Sequence, residues 1–389
     1  MVLLREHFVY LQTIGLWTPV TWPSDSWKLR AYRLYTASLI TATYWFGITE
    51  SISLFTIVNS IEDFSDSCFM LLTTIVVCVK VDMVLSKKTE IIALIDALEA
   101  YPHKPMNADE ERIQAKFNAR IRLISCIYGG FGEISVWVMT ISVFFQEIPY
   151  GDLPYKAWLP YDYSNFAMYW STFYLQLLAV IFVASVDCAF DTTLIGLIIL
   201  ICAQFNILRA RLERAVDEFE TGELKFQEDI SNVVKICENR IVDCVKYHRA
   251  IFKYTINYLY RWIIFVQYSA STIIICISIF MLSQVPLLST KALFFLLYFM
   301  CMLIQIFTLC AVAGQATIEC ENVLTGIYNT KWYILTNRAK SYLVLMMVRT
   351  LRPVVFMSGY VIVLSLDAFS NLLKRSYSAY TMLQQNSRK

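Results

Sequence analysis

Formal charge is scarce in this chain: Asp, Glu, Lys and Arg make up 16% of it, against 57% apolar residues. Soluble chains carry about 25% charged residues, so this scarcity excludes an ordinary water-soluble domain and implies a polytopic membrane protein. Histidine occurs only at His7, His103 and His248, far apart, which argues against a histidine metal centre. The cysteines stand mostly inside apolar runs (Cys78, Cys126, Cys188, Cys202, Cys276, Cys301, Cys310) without CxxC spacing. They read as small core residues, and no disulfide framework is indicated. There is no N-x-S/T sequon, nucleophile elbow, P-loop or zincin motif. An enzyme is therefore not expected, nor a metal or cofactor, and a net charge of +2 gives no reason to expect nucleic acid. Arg5, Glu6 and His7 interrupt the opening apolar residues, so the start does not have signal-peptide form.

What is present is a series of apolar runs. Residues 1–33 read as a cytoplasmic or interfacial segment, with a short amphipathic helix broken by Pro19 and Pro23. Spans are expected at about Leu34–Val58, Ser67–Leu85, Ile121–Phe145, Phe166–Phe205, Thr255–Leu282 and Leu293–Ala313. The fourth is longer than the ~20 residues a bilayer needs, so it should project into the charged stretch Leu208–Phe219. Gly222 marks a break before a second charged helix over 224–254. The interval 314–352 is charged and amphipathic, and 353–389 holds a seventh span that turns polar from Ser365 onward. No internal repeat is visible.

The distribution of Lys and Arg sets the orientation. Three alternate loops share two basic residues, Lys156 and Lys291, whereas the other three share twenty-one. This places the N-terminus in the cytoplasm and the C-terminus outside. The expected fold is thus an all-α membrane protein of seven transmembrane helices, N-terminus cytoplasmic and C-terminus extracellular, with a cytoplasmic helical anchor region. A G-protein-coupled receptor has the opposite orientation. Its acidic-Arg-aromatic triplet and Asn-Pro-x-x-Tyr motif are both absent.

The run Ser376-Tyr377-Ser378-Ala379-Tyr380-Thr381-Met382-Leu383 resembles the C-terminal signature of insect odorant receptors, with Ala379 in place of the usual aromatic and Met382 in place of the first of two leucines. Size, inverted topology, the long fourth span and the segment Ile318–Trp332 agree with that resemblance. The Thr-Tyr-x5-Gln-Phe ending of the related gustatory receptors is absent. The loop between spans four and five, about fifty residues, is much shorter than the co-receptor's. The resemblance implies an odorant-binding subunit of a heteromeric, ligand-gated, non-selective cation channel, opened by a small volatile hydrophobic ligand. Its partner would be the odorant co-receptor subunit (Orco) in a heterotetramer, in the plasma membrane of olfactory sensory neurons and in contact with membrane lipid. A gustatory or pheromone receptor of the same superfamily is the near alternative and a transporter the distant one, although the repeats and Gly/Pro-broken paired spans of transporters are missing.

The same resemblance implies site residues. A ligand pocket among spans two, three, four and six is expected to draw on Phe69, Leu72 and Thr73; on Gly130, Ile134, Trp137 and Ile141; on Tyr169, Phe173, Tyr174 and Leu177; and on Tyr298 and Met302, with Ile277 and Phe294 nearby. Trp137, Tyr174 and Tyr298 are the leading candidates. Such a cage recognises its ligand by shape and dispersion, with a hydroxyl setting orientation, and each residue serves helix packing equally well. Glu133 either pairs with a basic or hydroxyl neighbour or caps the pocket floor. At the C-terminus the gate is expected at Met382, with Ser378, Gln385 and Asn386 on the same helical face. Asp367 is either a vestibule charge or a buried partner of Arg352 or Lys374. Glu319, Trp332 and Tyr333 are expected to anchor one subunit to another.

Overall fold

The computed structural model describes residues 3–19, 22–23, 26–56, 61–145, 153–155, 157–225, 230–253, 256–286 and 289–387. Eleven α-helices follow in order among them: α1 Arg5–Thr13, α2 Trp27–Thr56, α3 Ile61–Ser86, α4 Lys88–Glu99, α5 Ala108–Val143, α6 Phe166–Lys225, α7 Ile230–Lys253, α8 Ile256–Gln284, α9 Thr290–Asn329, α10 Asn337–Thr350 and α11 Leu366–Ser387. A two-stranded hairpin, β1 Met357–Ser358 and β2 Ile362–Val363, precedes α11. Among the described residues, five helices are long and apolar enough to cross a membrane, within 67–86, 108–143, 166–221, 259–284 and 290–329.

The core is organised along α6. Its 60 residues form one unbroken helix, about 90 Å long at 1.5 Å per residue. Val186, Leu197, Ile198, Ile207 and Leu208 on it have no exposed surface. Helices α5, α7 and α9 pack along this pillar, and α8 lies between α3, α9 and α11. The projection of the fourth apolar run into Leu208–Phe219 is therefore one continuous helix. Gly222, expected to break it, lies inside its last turns.

Helix α1 is short and docked. Phe8 and Leu11 are buried, and Leu4 sits so close to Gly196 of α6 that a Cβ there would stand 2.7 Å from it. The helix ends before either proline. Gly15, with φ of +81°, turns the chain away, a conformation glycine adopts without steric cost. Pro102 and Pro105 lie between α4 and α5, and the first turn of α5 carries Asp109, Glu110 and Glu111 against the helix dipole.

One departure from the sequence reading is local but consequential. The apolar run Val354–Leu364, read as the start of the last span, folds as the hairpin, and the helix begins only at Leu366. Gly359 explains it. Its φ is +61°, its N–H donates to the Arg261 carbonyl of α8 at 3.1 Å, and the flanking residues are rich in β-branched Val and Ile. The Arg261 guanidinium lies 4.4 Å over the Tyr360 ring and holds the turn against α8.

Candidate functional site

The site grows from complementary charges in the apolar helices. Lys80 of α3 is fully buried, and its ammonium donates to Asp187 and Asp191 of α6, each at 2.6 Å. The two aspartates stand four residues apart, so both face the same side of the helix. Gln305 of α9 donates its amide to both, at 2.7 and 2.6 Å. Tyr128 of α5 and Gln267 of α8 donate to Asp191 at 2.9 and 3.1 Å. Five helices thus meet on one polar knot inside an apolar bundle, where unpaired charges would be very costly.

A cavity of about 70 Å³ borders this knot, between α3, α5, α6 and α9. Thr73 contributes from α3; Tyr128, Phe131, Gly132, Val136 and Met139 from α5; Ala184, Asp187 and Cys188 from α6; Tyr298, Cys301, Met302, Ile304 and Gln305 from α9. Its walls are almost wholly apolar, and Asp187 and Gln305 interrupt them. Gly132 sets the distance between α5 and α6, because a Cβ there would meet the Cys188 sulfur at 2.6 Å.

A second cavity of about 230 Å³ opens at the end of the bundle whose loops are poor in Lys and Arg. Glu50, Ser67, Phe69, Tyr155, Lys291, Phe294 and Phe295 are among its walls. Phe69 forms the partition between the two. Its ring is 5.1 Å from that of Tyr298 and 5.9 Å from Phe295, in edge-on geometries. Tyr298 and Thr73 are joined by a short hydrogen bond between their hydroxyls.

The structure brings together only some of the residues expected from the sequence. Thr73, Tyr298 and Met302 line the inner cavity, Phe69 the partition, and Phe294 the outer cavity. Leu72 is half-buried and Ile277 buried, both packed into the core. Ile134, Trp137 and Ile141 are 66%, 52% and 52% exposed on the outer surface of the chain, and a Cβ on Gly130 would meet open space. The inward stripe of α5 is 132, 136 and 139, whereas 130, 134, 137 and 141 run along the opposite face. Both have helical spacing, so periodicity alone does not separate them. Tyr169, Phe173 and Leu177 are buried in a satellite cluster with Val143, away from the inner cavity, and Tyr174 is half exposed. Glu133 is resolved as a hydroxyl pair: it accepts a short hydrogen bond from Tyr10 of α1. The knot itself was not expected. Its signal was available, in one cation on the second apolar run and two carboxylates four apart on the fourth.

Toward the chain's basic end, Glu319 is held within the subunit, accepting from Asn206 at 2.9 Å and Gln315 at 2.7 Å. Trp332 packs on the chain's own core, and Tyr333 is 61% exposed. Beside them α10 exposes an apolar stripe, Val344, Leu345 and Val348, continued by Leu351 just past its end. On α11, Ala368, Leu372 and Ser376 are buried at i, i+4 spacing, with the Tyr268 hydroxyl of α8 donating to the Ala368 carbonyl at 2.9 Å. Asp367, Asn371, Lys374, Ser378 and Met382 lie on the exposed side, and Asp367 makes no ion pair with Arg352 or Lys374. Gln385 and Asn386 fall on the last turns of α11, with side chains outside the described residues. Lys156 also lies outside them.

The model of the seven-transmembrane odorant receptor family matches residues 60–377. The chain belongs to that family. Among curated relatives, odorant receptor Or1 of Anopheles gambiae is 23% identical, over 96% of this chain and 93% of its own length. Odorant receptor 46a, isoform A, of Drosophila melanogaster is 22% identical, over 99% and 98%. The olfactory receptor OR5 of Machilis hrabei superposes with a TM-score of 0.84 at 15% identity, covering 98% of this chain and 97% of that one. Its complex with eugenol superposes with a TM-score of 0.81. This odorant receptor is therefore a multi-pass membrane protein and a receptor, not an enzyme.

Proposed function

We propose that this odorant receptor is the ligand-binding subunit of a heteromeric, ligand-gated, non-selective cation channel in the plasma membrane of olfactory sensory neurons. Its seven spans are α2, α3, α5, α6, α8, α9 and α11, with the N-terminus cytoplasmic and the C-terminus outside. The observation that carries this reading is the largely apolar cavity between α3, α5, α6 and α9 in a chain of this family. A small volatile molecule enters from the outer cavity past Phe69 and is held by dispersion against Phe131, Val136 and Met302.

The pore belongs to α11. Its exposed face of Asp367, Asn371, Lys374, Ser378 and Met382 suits a helix that borders water on one side and α8 on the other. Met382 forms the gate, followed by Gln385 and Asn386. The α10 stripe needs a partner surface, and with Tyr333 it anchors the chain to the co-receptor subunit in a tetramer. Expression in cells with and without the co-receptor, with surface labelling, tests the reading. Cation current under a broad volatile panel is expected only with the co-receptor. A surface-delivered complex silent to the whole panel would overturn the proposal.

A further inference from the structure

The two carboxylates at the heart of this chain differ in how fully their oxygens are used. A carboxylate offers about four lone-pair sites. Asp191 takes four donors, Lys80 on Oδ1 and Tyr128, Gln267 and Gln305 on Oδ2. Asp187 takes two among the described residues, from Lys80 and Gln305. Of these two aspartates, the under-used one lines the cavity. Lys80 is shared between the two carboxylates.

The hydroxyls around the cavity complete the pattern. Thr73 donates its proton to the Phe69 carbonyl at 2.9 Å, so in its pair with Tyr298 the tyrosine is the donor and Thr73 the acceptor. Tyr128 spends its proton on Asp191. Gln305 is 4% exposed and lines the cavity. Both aspartates accept from its amide nitrogen, and its carbonyl oxygen accepts no hydrogen bond among the described residues. The polar atoms left to meet a ligand are therefore acceptors: Asp187, the Gln305 carbonyl and the Tyr298 oxygen. Cys188 and Cys301 add only weak thiol donors.

We infer that this cavity selects ligands whose polar head donates a hydrogen bond, with Asp187 as the residue that determines specificity. Alcohols, phenols and amines meet it with a proton, while aldehydes, ketones, esters and ethers of the same shape bring an acceptor against acceptors. A site built to hydrogen-bond a group discriminates strongly against an analogue that leaves buried polar atoms unpaired. The inference rests on the odorant-binding reading and narrows it to a class of ligand.

The test uses the co-expressed channel and matched triads of equal heavy-atom count: benzyl alcohol, benzaldehyde and benzylamine, and 1-hexanol, hexanal and hexylamine, alongside the broad panel. On any skeleton the panel returns as active, the alcohol or amine is expected to act at least about ten-fold below the aldehyde in half-maximal concentration. The amine-to-alcohol ratio then reports whether Asp187 reads charge or only the hydrogen bond. In Asp187→Asn an amide N–H can face the void, and the aldehyde penalty should shrink to within about three-fold. Thr73→Val frees the Tyr298 proton to point inward and should shrink it too, which keeps the test open if Asp187→Asn fails to reach the surface. An aldehyde equal to its alcohol in the wild-type channel overturns the inference. So does a penalty unchanged in surface-delivered variants. Silence to the whole panel would instead overturn the receptor reading.

Discussion

Two clusters of buried charge hold this molecule together, and they mirror one another. In the basic half, one carboxylate serves two cations: Glu110 of α5 pairs with Arg211 at 2.8 Å and Arg214 at 3.1 Å, both on α6. In the apolar half, one cation serves two carboxylates, Lys80 with Asp187 and Asp191. The first cluster is saturated. Glu110 also accepts the Met106 N–H at 3.0 Å, and Arg211 spends further N–H groups on the Pro102 and Lys104 carbonyls at 2.7 and 2.9 Å while stacking 4.5 Å over the Tyr247 ring. The second cluster leaves half of Asp187 unspent beside a cavity. A saturated ionic cluster fixes geometry, whereas an incomplete one facing a void is available to a ligand.

The comparison is broken most severely by removing a cation from each cluster. Lys80→Met leaves two carboxylates without a counter-charge in an apolar bundle, and breaking such a pair costs roughly 3–5 kcal/mol. Arg211→Ala leaves Arg214 to Glu110 and strips two backbone carbonyls of their donor, so a loss of similar size is expected. Surface yield and thermal unfolding in detergent should fall sharply for both. Restoring neutrality separates them. Lys80→Met combined with Asp187→Asn should recover part of the stability, whereas no single change near Arg211 replaces its four contacts. If Lys80→Met alone were as stable as the wild type, the knot would not be an ionic cluster.

Much of the architecture was legible because it follows from hydrophobic pattern. The long fourth apolar run became α6, and the polar stretch after Ser365 became an amphipathic helix. Two kinds of feature were not legible. Backbone choice at one glycine turned Val354–Leu364 into a hairpin, since a β-branched apolar run satisfies strand and helix alike. The facing of α5 was hidden because its large aromatic and aliphatic residues, Trp137 and Ile141 among them, lie outward while Gly132 and Val136 line the cavity. In a membrane chain the outer surface is as apolar as the core, so hydrophobicity does not mark the inside.

A middle-sized effect comes from histidine in the basic half. His248 of α7 is buried, and burial, helped by the Arg349 guanidinium, pushes its imidazole down to about 4. His7 is pushed down to about 4 and His103 is lowered, in both cases first by burial. A group held neutral when folded takes a proton only in the unfolded chain as pH falls below about 6.5. Its contribution is thus fully present above that pH and is lost on acidification toward pH 4, up to roughly 3 kcal/mol for His248. Cys237 and Cys244, buried on the same helix, report the loss. Their labelling by a pyridyl disulfide should accelerate between pH 6.5 and 4, and His248→Gln should flatten that rise. A profile identical in the variant would remove His248 as the cause.

The smallest expected effect isolates why Lys80 matters. Lys87 lies just past the end of the same helix and pairs with Glu90 at the same 2.6 Å, but its side chain is 42% exposed and that of Glu90 48%. Water screens both ends, and exposed pairs contribute about 0–1 kcal/mol. Lys87→Ala should therefore leave surface yield, thermal unfolding and ligand ranking within error of the wild type. Equal distance with unequal cost would locate the difference in desolvation, since the Lys80 side chain has no exposed surface and those of Asp187 and Asp191 are only 13% and 5% exposed. A loss at Lys87 comparable to that at Lys80 would mean that charge on this helix matters wherever it stands, and the case for the inner cluster as a specialised site would fall with it.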